Sequence, residues 1–292
     1  MGVLDGKSAI ITGAGRGLGR CEALLMAGEG AAVVVNDVDE AAAKEVVDEI
    51  TAAGGTASVN VGDASEWDQG EALVNQAINE YGKLDILVNN AGILRDAMSF
   101  NMTEAEWDAV IKVHLKGHFV PSKFAAIHWR ERAKAGEEVY GRVINTASEA
   151  GLFGNLGQLN YGAAKAGIAA MAVIMARELA KYGVTANAIA PRARTRMTEN
   201  LFPDMAAAGE DGFDQFAPEN VAPLVGWLAS PDAADVSGQV FIVYGGRIHL
   251  MREWSLAGKI EQEGPWSIEG ITQNKGELFK DRNPGVPPFT LL

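Results

Sequence analysis

The sequence predicts a doubly wound α/β fold, a single parallel sheet of about seven strands with helices on both faces. Short runs of β-branched residues alternate with segments of helical length along most of the chain. Two of these runs, Val33–Val35 and Ile86–Val88, are continuously apolar, as strands covered on both faces require. Crossovers of helical length between such strands predict right-handed connections and a ligand site at the carboxyl ends of the strands.

Seven segments carry the strand pattern, and helical segments separate them. They are Ser8–Thr12, Ala32–Asn36, Ala57–Asn60, Ile86–Val88, Arg142–Thr146, Val184–Ala190 and Val240–Val243. We expect residues 1–245 to form one domain. Residues 194–217, rich in glycine and acidic residues, interrupt the repeat and predict a flap beside the site. Residues 246–292 predict a C-terminal extension that packs on the body or on a neighbouring subunit, because its tryptophans argue against disorder.

Composition and charge exclude several classes of function. The 292 residues are 48% hydrophobic and 22% charged, as in an ordinary globular protein. With 38 acidic and 25 basic residues the net charge is −13, so neither nucleic acid nor a membrane is expected as a partner. The single cysteine, Cys21, cannot form an intramolecular disulfide, so nothing points to an oxidising compartment, and we expect it to be a small buried residue. Residues 1–11 include Asp5 and Lys7, which argue against a signal peptide, so we expect a cytoplasmic protein.

A glycine-rich turn follows the first predicted strand. Residues 12–19 read Thr-Gly-Ala-Gly-Arg-Gly-Leu-Gly, and a helix is expected to begin near Arg20. The backbone amides of such a turn, together with the N-terminus of the helix, can bind a pyrophosphate. The residues predicted to contact a dinucleotide here are Gly13, Arg16, Gly17, Leu18 and Gly19.

Asp37 ends the second predicted strand, where an acidic residue accepts hydrogen bonds from the adenosine ribose. The alternative is a solvated turn carboxylate beside Asp39. The charge of Asp37 would repel the 2′-phosphate of NADP, and this predicts NAD as the cofactor. Arg16 would favour NADP instead, if its guanidinium binds that phosphate. The alternative is that Arg16 is a solvated side chain.

Tyr161 and Lys165 lie four residues apart, on one face of a helix that continues to Leu179. Free tyrosine has a pKa of about 10, so its use as a base near pH 7 needs roughly 4 kcal/mol of help, and a nearby ammonium and an oxidised nicotinamide act in that direction. Ser148, thirteen residues before Tyr161, can donate to a substrate oxygen as charge develops, or can serve as a turn or cap. The three residues predict hydride transfer between a nicotinamide and a secondary alcohol or ketone.

These motifs together resemble the short-chain dehydrogenase/reductase family in order and spacing, over roughly residues 4–245. The resemblance implies a Rossmann-type NAD-binding domain in which Tyr161 is the acid/base and Ser148 holds the reacting oxygen. It implies that Lys165 binds the nicotinamide ribose and lowers the pKa of the tyrosine. Further cofactor contacts that it implies are Asp63 at the adenine and Asn90, Ala91, Gly92 and Pro191 along the cleft.

One position departs from that family. Its members usually carry an asparagine in the helix before the serine strand, which orders a water for a proton relay, and this chain has His114. A histidine can also hold a water or shuttle a proton, since its ordinary pKa is about 6.5. The alternative is a histidine that packs near the site.

Longer strings, among them Asn89–Asp96, Val113–Gly117 and Gly154–Gln158, are similar to the dehydrogenase part of multifunctional enzyme type 2. This resemblance implies a stand-alone enzyme that oxidises (3R)-3-hydroxyacyl-CoA to 3-oxoacyl-CoA with NAD, an acyl-CoA thioester being its small-molecule partner. It places Asn155 and Gln158 at the substrate. Where that group often has small residues, this chain has Arg192 and Arg194, which either meet CoA phosphates or are ordinary surface charge.

Two other functions stay open at this stage. A hydroxysteroid or other bulky secondary alcohol is an alternative substrate. Members of the family share the same catalytic residues but differ in the flap beside the substrate. A silent NAD-binding scaffold is the second alternative, and the intact catalytic residues argue against it. No metal is expected. The helix after Lys165 has more apolar residues than one sheet face requires, which predicts a homodimer or homotetramer; they are Ile168, Met171, Ile174 and Met175.

Overall fold

The protein is built on one eight-stranded sheet, in the order β3-β2-β1-β4-β5-β6-β7-β8. It is described by a computed structural model that covers residues 2–195, 212–252, 254–280 and 282–286. All neighbouring strands are parallel except β7 and β8. The strands are β1 Ser8–Thr12, β2 Ala32–Asp37, β3 Thr56–Val61, β4 Ile86–Asn89, β5 Gly141–Thr146, β6 Val184–Pro191, β7 Val240–Tyr244 and β8 Arg247–Leu250.

The predicted fold class is confirmed, and every predicted strand is present to within a residue at each end. Two details differ. The antiparallel edge strand β8 is additional, and it lies in the segment predicted as an extension. Helix α1 begins at Gly17 rather than near Arg20, so Gly17 and Gly19 of the predicted turn belong to the first turn of the helix.

Helices cover both faces of the sheet, as the continuous apolar strands require. On one face Ile11 and Val33 pack with α1, α2 and α8, and on the other Ile10 and Val34 pack with α3 and α5. The helices are α1 Gly17–Gly28, α2 Glu40–Ala52, α3 Trp67–Tyr81, α4 Glu104–Ile111, α5 Gly117–Lys134, α6 Glu149–Phe153, α7 Leu159–Leu179, α8 Ala222–Ala229, α9 Ile268–Gln273 and α10 Lys275–Phe279.

The strand order reverses direction between β1 and β4. Loops at the carboxyl ends of these two strands leave toward opposite faces of the sheet, and a crevice opens between them. A π-helical turn, Lys112–Lys116, joins α4 to α5 above this edge. Such turns often occur at functional sites, because they shift side chains out of helical register.

Helix α7 is the long apolar helix of the sequence. Among the described residues, the helical stretch Leu159–Tyr182 is long and apolar enough to span a membrane by length and composition alone. Its Ile168 and Ala172 are fully buried in the core, with Ala188 of β6. The helix therefore has the position of a core helix in an α/β sheet.

The chain divides into two compact units, residues 1–251 and 252–292. The second contains the short helices α9 and α10, and the N-terminus of α9 is capped by Ser267, whose hydroxyl accepts from Gly270 N. Most of the predicted flap, from residue 196 to 211, lies outside the described residues. How the C-terminal segment packs stays a prediction.

Candidate active site

The turn after β1 can be formed only by glycine at two positions. Gly13 has a φ of +62°, and a Cβ there would lie 2.8 Å from the Cα of Ala91. A Cβ on Gly19 would lie 2.5 Å from Gly13 O. The bare backbone thus allows the turn, the start of α1 and the loop after β4 to approach one another closely.

Thr12 and Asn90 bind the two loops together. The Thr12 hydroxyl accepts from the backbone amides of Asn90 at 3.0 Å and Ala91 at 3.1 Å. In return the Asn90 side chain donates to Thr12 O at 3.1 Å and Gly13 O at 3.2 Å. Asn90 therefore fixes the shape of the crevice through its side chain. Thr12 was not singled out from the sequence, because a threonine at a strand end carries no distinctive signal.

A cavity of about 260 Å³ lies at the crevice. It brings together most of the residues predicted to bind a cofactor and three of those predicted to be catalytic. It is lined by Gly13, Arg16, Gly17, Leu18, Asn90, Ala91, Gly92, His114, Thr146, Ala147, Tyr161, Lys165, Pro191, Ala193 and Thr195. Gly19, Asp37, Asp63, Ser148, Asn155 and Gln158 are not part of its lining.

Asp37 is held against the glycine turn. One carboxylate oxygen accepts from Gly15 N at 3.0 Å, and the other accepts from Asp39 N at 3.0 Å. Each oxygen keeps a lone pair for a further donor, such as a ribose hydroxyl. Together with the glycine cradle and the cavity, this donor and acceptor set fits a nicotinamide dinucleotide.

Arg16 and Asp63 are both engaged with protein partners. The Arg16 guanidinium forms an exposed ion pair with Asp39 at 2.8 Å. Asp63 accepts from the Ser65 hydroxyl at 2.6 Å and pairs with Lys112 at 3.2 Å. A contact of Asp63 with the adenine stays a prediction.

Ser148 forms a hydrogen bond with Tyr161, which lines the cavity. Burial raises the pKa of Tyr161 to about 12, and a hydrogen bond from Ser148 acts against that rise. Ser148 caps α6, its hydroxyl accepting from Ala150 N at 3.2 Å. The sequence alternatives for Ser148, a cap or a group beside the reacting oxygen, are therefore compatible: the cap fixes the hydroxyl near the phenol.

Lys165 lies one turn after Tyr161 on α7, and its side chain is almost completely buried. Its ammonium donates to Thr146 O and lies 5.5 Å from the centre of the Tyr161 ring. Burial lowers the pKa of Lys165 to about 7.

His114 packs edge-on against Tyr161, with ring centroids 5.1 Å apart. Its Nε2 lies 3.0 Å from Ile93 N and 2.7 Å from Ile93 O, and the tautomer decides which of them it binds. Nδ1 has no hydrogen-bond partner in the described part of the chain. Burial, followed by the charge of Lys165, lowers the pKa of His114 to about 3. Near pH 7 the imidazole is therefore neutral. It can donate one hydrogen bond and accept another, but it carries no positive charge.

The two residues predicted at the substrate are joined to each other. Asn155 Nδ2 donates to Gln158 Oε1 at 2.9 Å, and Gln158 Nε2 donates to Asp96 at 2.9 Å. A β-bridge between Ala97 and Gln158 runs beside them. This network anchors the loop in front of α7, from which Tyr161 projects.

Arg192 is not an ordinary surface charge, and a contact of Arg192 with CoA phosphates stays a prediction. Arg192 is buried and forms a bidentate ion pair with Glu149. Arg194 is paired with Asp214 in a half-buried position. Both guanidinium groups thus have carboxylate partners within the chain. The pairings were not visible in the sequence, since Glu149 and Arg192 lie 43 residues apart.

The sequence matches the family described as short chain dehydrogenase over residues 7–206. The chain is a short-chain dehydrogenase. As a member of this family it is an oxidoreductase, and it uses a nicotinamide cofactor, for which the glycine turn and the cavity provide the site.

This short-chain dehydrogenase is similar to proteins from bacteria and yeast. It is 49% identical to the hydroxyacyl-CoA dehydrogenase ChsB1 of Mycobacterium tuberculosis, over 96% of this chain and 91% of that protein. It is 43% identical to the peroxisomal hydratase-dehydrogenase-epimerase of Saccharomyces cerevisiae, over 95% of this chain and 30% of that longer protein. A crystal structure of a short chain dehydrogenase from Mycobacterium avium superposes with a TM-score of 0.91 at 49% identity, each chain being fully covered.

Proposed function

We propose that this short-chain dehydrogenase oxidises (3R)-3-hydroxyacyl-CoA thioesters to 3-oxoacyl-CoA with NAD. The observation that carries the chemistry is the convergence of Ser148, Tyr161 and Lys165 beside a cavity that also contains the glycine turn. The names of the relatives support the substrate class, because one is a hydroxyacyl-CoA dehydrogenase and another contains a dehydrogenase activity beside a hydratase.

Each of the three residues has a distinct part in the proposed reaction. Tyr161 takes the proton of the substrate hydroxyl, while the bound nicotinamide cofactor accepts the hydride from the same carbon. Ser148 donates to the substrate oxygen and holds it near the phenol. Lys165 is fixed by Thr146 O and, when protonated, favours the phenolate form of Tyr161 through its charge.

The preference for one enantiomer follows from this arrangement. Ser148 and Tyr161 fix the oxygen of the substrate, and the cofactor site fixes the side on which hydrogen must leave. Inversion of the carbon would turn its hydrogen away, and the near-attack geometry would be lost. We expect kcat/KM for (3R)-3-hydroxyacyl-CoA to exceed that for the (3S) isomer by at least about 100-fold in steady-state kinetics. Preferential oxidation of the (3S) isomer would overturn the proposed substrate.

NAD is proposed over NADP because of the charges around the ribose position. Asp37 points its carboxylate at the glycine turn, and Asp39 lies beside it. The one cation nearby, Arg16, is paired with Asp39 in the described structure. A 2′-phosphate would therefore meet two carboxylates, whereas ribose hydroxyls can donate to Asp37.

Replacing Asp37 by alanine is expected to narrow the preference for NAD over NADP by about 10- to 100-fold. The variant loses both the acceptor for the ribose and the charge that opposes the phosphate. Isothermal titration of the two cofactors would measure the change, with Asp48→Ala, at an exposed position of α2, as the control. Equal affinity of the unaltered protein for NAD and NADP would contradict the proposal.

We also propose that the protein forms a homo-oligomer through α5 and α7. An apolar groove of about 420 Å³ lies between these helices. Phe119, Ile127 and Ile174 are 47%, 42% and 53% exposed there. Arg130 and Glu178 also line the groove, so a second copy related by a two-fold axis can place opposite charges against each other.

Ile174→Glu is expected to shift the protein from a dimer or tetramer to a monomer, because it places a charge in this apolar interface. Light scattering at micromolar concentration measures the mass. Val3→Glu, at a residue 52% exposed and outside the groove, is the control that should keep the oligomer. A monomeric unaltered protein under these conditions would refute the proposal.

A further inference from the structure

Glu149 and Arg192 form a buried ion pair. Arg192 donates to Glu149 through both Nε and Nη2, the Nη2 bond to Oε1 being 2.6 Å long. The two residues are 6% and 5% exposed. Bidentate geometry fixes the relative orientation of two planar groups as well as their distance, so this contact is stiffer than a surface ion pair.

Both partners are chain neighbours of site residues. Glu149 is the first residue of α6, immediately after Ser148, which caps that helix. Arg192 follows Pro191, the last residue of β6, and precedes Ala193, and both of these line the cavity. The ion pair thus joins the first residue of α6, next to Ser148, to the segment whose Pro191 and Ala193 line the cavity.

Helix α6 is also seated on the turn of α7 that carries the lysine. A Cβ on Gly151 would lie 2.5 Å from Ala166 N and 2.6 Å from the carbonyl carbon of Lys165. The absence of a side chain at Gly151 therefore allows α6 to rest on the backbone beside Lys165. The short helix is held from below by α7 and from the side by Arg192.

Arg192 itself is fixed from other directions. Its guanidinium carbon lies 4.3 Å from the centre of the Tyr244 ring, and that ring stacks on Phe216 at 6.5 Å. Its backbone amide donates to Val243 O at 3.0 Å. Strand β7 and the aromatic pair thus hold the arginine in place, and the arginine in turn orients the Glu149 carboxylate.

Stability alone does not require this pair. Removal of two charges from water is costly, and replacement of a buried ion pair by apolar residues is often neutral or stabilising. What an apolar pair cannot supply is a directional contact that fixes α6 relative to residues 191–195.

We propose that Glu149 and Arg192 are positioning residues, which hold the Ser148 hydroxyl at the distance from Tyr161 and from the Pro191–Ala193 wall that hydride transfer requires. The kinetic part of this inference rests on the proposed function, and the geometric part does not. Neither residue needs to touch substrate or cofactor.

The test uses a double variant, Glu149→Leu with Arg192→Met, in the full chain. It removes both charges, whereas either single variant would leave an unpaired buried charge and unfold more easily. With a (3R)-3-hydroxyacyl-CoA as substrate, we expect kcat to fall about 10- to 100-fold and the primary deuterium isotope effect to increase. The Kd of NAD should change by less than about threefold, because the glycine turn and Asp37 are unaltered.

Two further variants separate positioning from general damage. Arg192→Lys keeps the positive charge but cannot form the bidentate pair with Glu149. We therefore expect its kcat to lie between those of the unaltered enzyme and the double variant. The pair Arg132→Met and Glu137→Gln removes an exposed ion pair of 2.7 Å at the end of α5, and should leave kcat unchanged. A folded double variant with kcat within twofold of the unaltered enzyme would overturn the inference.

A crystal structure of the double variant gives a readout that needs no substrate. We expect the Ser148 hydroxyl to move away from the Tyr161 oxygen, with the remainder of the sheet unchanged. A superimposable Ser148 would overturn the inference whatever the substrate is. If the unaltered protein does not oxidise (3R)-3-hydroxyacyl-CoA, the proposed function fails, and the crystallographic result still decides the role of the pair.

Discussion

Replacing Tyr161 by phenylalanine is expected to lower kcat by about 10³-fold while NAD affinity stays within about threefold. The variant keeps the ring that packs against His114 but loses the hydroxyl that Ser148 contacts. No other described side chain of the cavity offers a phenol at this position. The substrate hydroxyl proton then has no acceptor as hydride leaves.

The measurement is steady-state kinetics with a secondary alcohol substrate, combined with titration of NAD. Tyr182→Phe, in the short helical turn after α7 and partly buried against the core, is a matched control and should keep full activity. Retention of more than about a tenth of kcat by Tyr161→Phe would exclude the tyrosine as the main base, since general acid–base catalysis contributes 10²- to 10⁴-fold.

The fold was predictable from the sequence because the strands carry a strong local signal. Val33–Val35 and Ile86–Val88 are apolar on both sides, and such strands form only the covered interior of a parallel sheet. Strand β8 was missed because Arg247–Leu250 is short and contains polar residues that are largely exposed at the sheet edge. Its partner β7, being internal, was apolar enough to be predicted.

The site was predictable where its residues are neighbours in sequence. Tyr161 and Lys165 share a helix face, and the glycine turn is one local segment, so spacing alone brings their members together. The pairing of Glu149 with Arg192 depends on the strand order, and nothing in either local sequence indicates it. Opposite charges far apart in a sequence have many equally good partners.

The pKa values of the site residues also could not be predicted from the sequence. The spacing of Tyr161 and Lys165 predicts that the ammonium lowers the tyrosine pKa. The structure adds the effect of burial, which raises the pKa of Tyr161 to about 12 and lowers that of Lys165 to about 7. Desolvation depends on how deeply each group is covered, which a sequence does not contain. Burial thus opposes the proposed use of Tyr161 as a base, whereas its hydrogen bond with Ser148 acts in favour of it.

Replacing Glu22 by glutamine is expected to stabilise the protein at pH 8 and to leave its stability almost unchanged at pH 5. Glu22 lies on α1 and is only 1% exposed. Neither of its carboxylate oxygens has a hydrogen-bond partner in the part of the chain that the structure describes. Burial raises the pKa of Glu22 from 4.5 to about 8. The folded protein therefore keeps this carboxyl protonated near neutral pH.

The direction of the pH dependence follows from proton binding. Below pH 4.5, Glu22 is protonated in both the folded and the unfolded state, so it does not make stability depend on pH. Between pH 4.5 and about 8 only the unfolded state loses the proton, and the free energy of unfolding falls as pH rises. At about 1.4 kcal/mol per pKa unit, the loss between pH 5 and pH 8 is on the order of 3 to 4 kcal/mol.

Urea unfolding at pH 5 and pH 8, at a fixed protein concentration and without cofactor, measures the effect. The buried His114 and His118 also titrate differently in the two states, but they do so in both proteins and cancel in the difference. Glu45→Gln, at an exposed position of α2, is the control and should not alter the pH dependence. If Glu22→Gln and the unaltered protein lose the same free energy of unfolding between pH 5 and pH 8, then Glu22 is ionised in the folded state, and a partner for its charge must exist.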